Sequence, residues 1–99
     1  HTVLERAARL REALREASVP VVAGTSQIVP VMLGDNRRAT TVAASLQARG
    51  FDVRAVRPPT VPDGTARLRM SVNVDLSLEA IDRLVPAVVE SIREASVTA

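Results

Sequence analysis

Arg67 and Arg69 stand two residues apart in Thr65-Ala66-Arg67-Leu68-Arg69. Two guanidinium forks at that spacing could grip carboxylates or phosphates bidentately. Ser71 and Asn73 continue the same alternation, so the four side chains share one face of a strand. Immediately before them runs Arg57-Pro58-Pro59-Thr60-Val61-Pro62-Asp63-Gly64, with three prolines in five positions. Such a loop lowers the entropy of holding Arg57 and Thr60 in one pose, and pre-organisation of that kind favours a ligand site. The chemistry on offer is anion binding. The wet side of a half-buried sheet would carry the same polar residues, so periodicity alone leaves both readings open, and the stiff loop favours the site.

Other chemistry is limited by what the chain lacks. All 13 basic residues are arginine, and there is no lysine and no cysteine. Thiolate chemistry, disulfides and Cys-ligated zinc are therefore excluded. The single histidine is His1, at the terminus, which removes Ser–His and Cys–His triads and leaves too few imidazoles for a usual zinc site. No metal is expected, and no group in the chain is expected to be catalytic. The arginines balance 11 acidic residues to a net charge of only +2, although guanidinium basicity carries the isoelectric point to about 10.9. Such a charge supports neither nucleic-acid nor membrane binding, and with a single aromatic residue, Phe51, no platform for stacking bases exists, which further disfavours the former. No apolar run approaches membrane-spanning length and the start has no signal-peptide layout, so a cytoplasmic protein is expected.

These groups must be positioned by a core of Val, Leu, Ile and Ala, because Phe51 is the only aromatic residue. The length fits a single domain over residues 1–99. Val3, Ala7, Leu10, Leu14 and Ala17 recur at helical spacing, with Glu5, Arg6, Arg9, Arg11 and Glu12 on the remaining face. That helix shows no cap at its start, and the chain is expected to be the C-terminal fragment of a larger enzyme. Val19 to Gln27 is a connector in which Val21 and Val22 could add a short edge strand.

Ile28 to Leu33 is a continuous apolar run, expected to be a strand covered on both faces, with Pro30 turned to an edge or bulge. Asp35 is a helix N-cap and Gly50 a C′ residue, and Ala39, Val42, Ala43 and Leu46 form the buried stripe between them. Phe51 to Val56 and Ala66 to Val74 read as strands that pair antiparallel across the proline loop. Ser77 caps a last helix whose buried side holds Leu78, Ile81, Val85, Val88 and Ile92. Pro86 lies within it; an interior proline costs roughly 3 kcal/mol, which predicts a kink or two abutting helices. The fold class is α+β, a small mostly antiparallel sheet of about three strands with helices packed on one face.

Val56-Arg57-Pro58-Pro59-Thr60-Val61-Pro62, with Gly64 and Arg67-Leu68-Arg69-Met70-Ser71, closely resembles the C-terminal domain of the 8-amino-7-oxononanoate synthases. These are α-oxoamine synthases, fold-type I enzymes that use pyridoxal phosphate. Ile28-Val29-Pro30-Val31, Leu33-Gly34-Asp35, Arg49-Gly50 and Ala80-Ile81-Asp82-Arg83-Leu84 look like the same family. The likeness runs from about Ser26 to Ile92. It implies the small C-terminal domain of a homodimeric enzyme that condenses L-alanine with pimeloyl-CoA or a pimeloyl carrier protein, in biotin biosynthesis. Arg69 matches the arginine that grips the amino-acid carboxylate, and Arg57 and Thr60 match loop positions at the substrate entrance. Where the family usually reads Ala-Ala-His-Thr, this chain has Val74-Asp75-Leu76-Ser77, which leaves the acyl substrate open. The family's Schiff-base lysine and other cofactor-binding groups belong to a large domain that this sequence does not include. A lysine-free chain cannot form that bond, so the fragment alone is expected to be inactive.

Two other readings compete with this one. One is a free-standing module that binds an anion or carboxylate through Arg57, Arg67 and Arg69. The other is a different α-oxoamine synthase using another acyl-CoA.

Overall fold

A computed structural model describes residues 2–73 and 76–97. The elements follow the expected order: α1 (Val3–Glu16), β1 (Ile28–Gly34), α2 (Asn36–Ala48), β2 (Val53–Val56), β3 (Ala66–Ser71) and α3 (Leu78–Val97). The strands form one sheet in the order β1-β3-β2. Both flanking strands run antiparallel to β3. This is the α+β arrangement expected, with β3, the strand that follows the proline loop, at the centre.

Register sorts the side chains into two faces. Leu68 is level with Val31 and Ala55, and Met70 with Val29 and Val53. Val29, Val31, Val53, Leu68 and Met70 are buried, together with Leu10 and Leu14 of α1, Val42 and Leu46 of α2, and Ile81 and Val88 of α3. All three helices therefore cover the same side. The other face carries Ile28, Pro30, Met32, Arg54, Val56, Arg67, Arg69 and Ser71, none of them buried. The expectation that β1 is covered on both faces is thus overturned: its alternate residues stand on this second face, half-buried or exposed.

Pro30 lies in a flanking strand, and its carbonyl accepts the Val22 N–H at 2.9 Å. Residue 30 therefore turns its backbone outward, and its missing amide takes nothing from the β1–β3 ladder. Val21 bridges Val31, completing the short edge contact anticipated for the connector.

Local capping explains most of the boundaries. Asp35 accepts the Arg38 N–H at 3.2 Å and starts α2. Gly50, at φ +91°, ends it: the Gly50 N–H donates to Gln47 O and the Phe51 N–H to Leu46 O. This paired closure is the Schellman motif. It commits the Phe51 amide to the helix end, so β2 begins at Val53 rather than at Phe51. Likewise β3 ends at Ser71, although the Val72 N–H still donates to Gln27 O; Val74 and Asp75 lie outside the described residues.

Three further expectations are corrected. α1 does have a cap, since Thr2 and Glu5 form a reciprocal capping box whose Thr-x-x-Glu spacing is visible in the sequence. α3 is one continuous helix with Pro86 inside it, not two abutting ones. Pro86 is exposed there, so water can serve the Asp82 carbonyl that loses its helical donor. Finally, Arg11 is not on the wet face of α1 but only 4% exposed. Its Nη2 donates to the carbonyls of Ser26 and Ile28, while its Nε and Nη1 have no partner among the described residues. The side chain ties α1 to the start of β1. Ser77 does cap α3, accepting the Ala80 N–H at 3.1 Å.

Candidate substrate-binding site

The proline loop folds onto the end of the β2–β3 hairpin. The Pro58–Pro59 peptide is cis, and the Thr60 N–H donates to the Arg57 carbonyl at 3.1 Å. That bond closes a four-residue turn and sets Arg57 beside Thr60. A second turn follows, in which the Thr65 N–H and hydroxyl both donate to the Pro62 carbonyl. Gly64 (φ +79°) completes the return into β3. Its carbonyl approaches Gly34 so closely that a Cβ there would lie 3.4 Å away. The loop is thus held at both ends, by its own turns and against the end of β1.

On the open face of the sheet Arg69 occupies the central strand, with Pro30 beside it in β1 and Arg54 beside it in β2. Arg69, Arg57 and Thr60 line one recess of about 450 Å³, together with Pro58, Pro59 and Arg54. The structure therefore brings together all three residues singled out from the sequence. It separates Arg67 from them: the Arg67 Nε donates to the Thr65 carbonyl at 3.1 Å, and the residue does not line the recess. Arg67 still shares the open face of the sheet with Arg69.

Arg54 is the residue that sequence reasoning missed. Its alternation with Val53 and Ala55 marks it as polar-facing, but only the strand register places it opposite Arg69.

Several arginines away from this recess have acidic partners. Arg49 is shared by Glu90 at 3.5 Å and Glu94 at 3.1 Å, Arg15 pairs with Glu12, and Arg9 with Asp82. Arg57 and Arg69 form no ion pair among the described residues, and Arg54 has only Asp52, at 3.8 Å. Among the described residues no carboxylate lines the recess. Both Asp52 and Arg54 are more than 70% exposed, so that contact is screened by water. The site is a cationic pocket whose rigid rim offers bidentate donors to an oxyanion.

The fold and site together define a small α+β domain with a cationic recess on the open face of its sheet. The chain belongs to the aminotransferase class I and II family, whose model matches residues 1–88. It is 50% identical over 82 residues to 8-amino-7-oxononanoate synthase of Chlorobaculum parvum, a match covering 83% of this chain and 21% of that protein. It is 43% identical over 94 residues to the enzyme of the same name from Halorhodospira halophila, covering 92% and 23%. The chain thus spans between a fifth and a quarter of the length of these relatives.

Among solved structures, serine palmitoyltransferase of Sphingomonas wittichii superposes with a TM-score of 0.85 at 27% identity, over 96% of this chain and 24% of that one. A high-resolution structure of SPT with PLP gives 0.84 at 28%, over 94% and 24%. The resemblance to the 8-amino-7-oxononanoate synthases read from the loop and β3 is borne out.

Proposed function

We propose that this chain is the C-terminal, substrate-gripping domain of a pyridoxal-phosphate-dependent C-acyltransferase that joins L-alanine to a pimeloyl thioester, giving 8-amino-7-oxononanoate for biotin biosynthesis. The observation that carries the reading is the recess itself, in which Arg69, Arg57 and Thr60 converge. The 50% identity to a synthase of that name supports the choice of reaction. The likeness to serine palmitoyltransferases supports the broader class, acyl transfer to an amino acid.

The residues of this chain do not fit the cofactor as ligands. There is no lysine to bond its aldehyde and no histidine among the described residues to stack on its ring. In this reading the cofactor belongs to a large domain elsewhere in the enzyme, where it would supply the electron sink for the chemistry at the amino acid.

The chain's own part is binding and orientation. Arg69 receives the alanine carboxylate through two parallel N–H donors, which fixes the rotation of the amino acid about its Cα. Arg57 and Thr60, held by the turn between them, line the path by which the acyl donor enters. The enzyme works as a cytoplasmic homodimer. Among the described residues no helix is long and apolar enough to cross a membrane.

The test is an assay of the full-length enzyme with alanine and pimeloyl-CoA, following carbon dioxide release and product by mass spectrometry. Formation of 8-amino-7-oxononanoate is expected. Turnover only with another amino acid or another acyl thioester would replace this reaction by a sister activity.

A further inference from the structure

Resting on that reaction, we propose that Arg54 is a second anion-binding residue of the site and recognises a negatively charged group on the acyl donor. Arg54 and Arg69 are direct cross-strand partners, so their Cβ atoms stand about 5 Å apart. Like charges at that spacing oppose sheet formation. Arg57 lies on the same recess and adds a third positive charge. Among the described residues no carboxylate lines the recess to offset the three, and the Asp52 contact of Arg54 is long and exposed. Elsewhere on this surface Arg9, Arg15 and Arg49 all have acidic partners.

Counting charges then shows what the amino acid leaves over. Its single carboxylate neutralises one guanidinium, and Arg69, on the central strand, is the one assigned to it. Two positive charges, those of Arg54 and Arg57, remain on the same recess. An acyl donor that carries its own anion answers that excess. The anion is either a carboxylate at the far end of the acyl chain or a phosphate in the thioester's carrier arm, and both are oxyanions that a guanidinium binds with charge-assisted hydrogen bonds. Arg54 is 73% exposed, so it holds the donor at the mouth of the recess and sets specificity without touching the reacting atoms.

The test uses the full-length enzyme loaded with pyridoxal phosphate, as wild type, Arg54→Gln and Arg54→Lys. Three donors are compared: pimeloyl-CoA, the CoA thioester of pimelic acid monomethyl ester, and pimeloyl N-acetylcysteamine, which lacks phosphates. Arg54→Gln is expected to raise the KM for pimeloyl-CoA about five- to tenfold and to leave the alanine KM unchanged. Arg54→Lys recovers part of the loss. If the acyl carboxylate is the target, the penalty disappears with the methyl ester; if a phosphate is, it disappears with the N-acetylcysteamine thioester. An unchanged donor KM in Arg54→Gln, an equal penalty on all three donors, or a rise in the alanine KM overturns the assignment. If the wild type turns over none of the donors with alanine, the proposed reaction fails and the role of Arg54 falls with it. A wild type that works beside an unaffected Arg54→Gln rejects the role alone.

Discussion

Arg69→Ala and Arg69→Lys, made in the full-length enzyme, separate the charge of the clamp from the geometry of its fork. A guanidinium receiving a carboxylate contributes about 1.5–3 kcal/mol for each charge-assisted hydrogen bond. Arg69 is exposed in the open recess, so the lower end applies, about 3 kcal/mol for the two bonds together. Arg69→Ala should then lower kcat/KM for alanine by roughly 150-fold. Lysine keeps the charge but replaces the planar fork by a point donor, retaining about half of that energy and leaving a deficit of roughly tenfold.

Stability is expected to move the other way. Either variant leaves the core face of β3 intact, and Arg69→Ala also removes a like charge from beside Arg54, so the melting temperature should stay level or rise slightly. The assay is initial rates against alanine at saturating acyl donor, then the converse, with a thermal melt of each variant. An unchanged alanine dependence, with the defect confined to the donor, would refute the assignment of Arg69 to the amino-acid carboxylate. A loss of rate accompanied by a clear drop in melting temperature would show damage to the sheet instead.

Three other outcomes follow from the packing. Arg11→Met keeps the packed stem but gives up the bonds to Ser26 and Ile28, while relieving two buried donors that have no partner. A net loss of about 1–3 kcal/mol is expected in denaturant titration, and a more stable variant would contradict the tie between α1 and β1. Gly34→Ala forces an L side chain to φ +86° and brings its Cβ to 3.4 Å from the Gly64 carbonyl. It should cost about 1–2 kcal/mol by the same measurement, and a neutral result would show that the contact yields freely. Hydrogen bonding from the Thr2 backbone N–H, reinforced by the Thr2 side chain, holds the Glu5 carboxyl below its ordinary value. Its support for α1 is therefore complete above the ordinary glutamate range and is lost as the pH falls through the lowered value. NMR titration of Glu5 checks this, and an unshifted curve would argue against the capping box.

The sequence by itself determined the elements and the kind of chemistry. Asp35 and Gly50 bracket α2 because a short acceptor side chain and a residue free to take positive φ are local requirements. The alternation of Leu68 and Met70 with Arg67 and Arg69 set the two faces of β3, since a strand's side-chain period is fixed by its backbone. The Arg57-to-Pro62 loop likewise marked a candidate for anion binding through residue types alone. Only the tertiary structure decided how these pieces meet. Strand order and register depend on contacts between distant residues, so no local signal separated Arg67, turned back onto Thr65, from Arg69, which faces the recess. The same pairing brought in Arg54. Arg11 was misread for a related reason: helical periodicity records polarity, whereas burial depends on what packs against the helix, and here the connector at Ser26 and Ile28 supplies the carbonyls that let a charged side chain go inside.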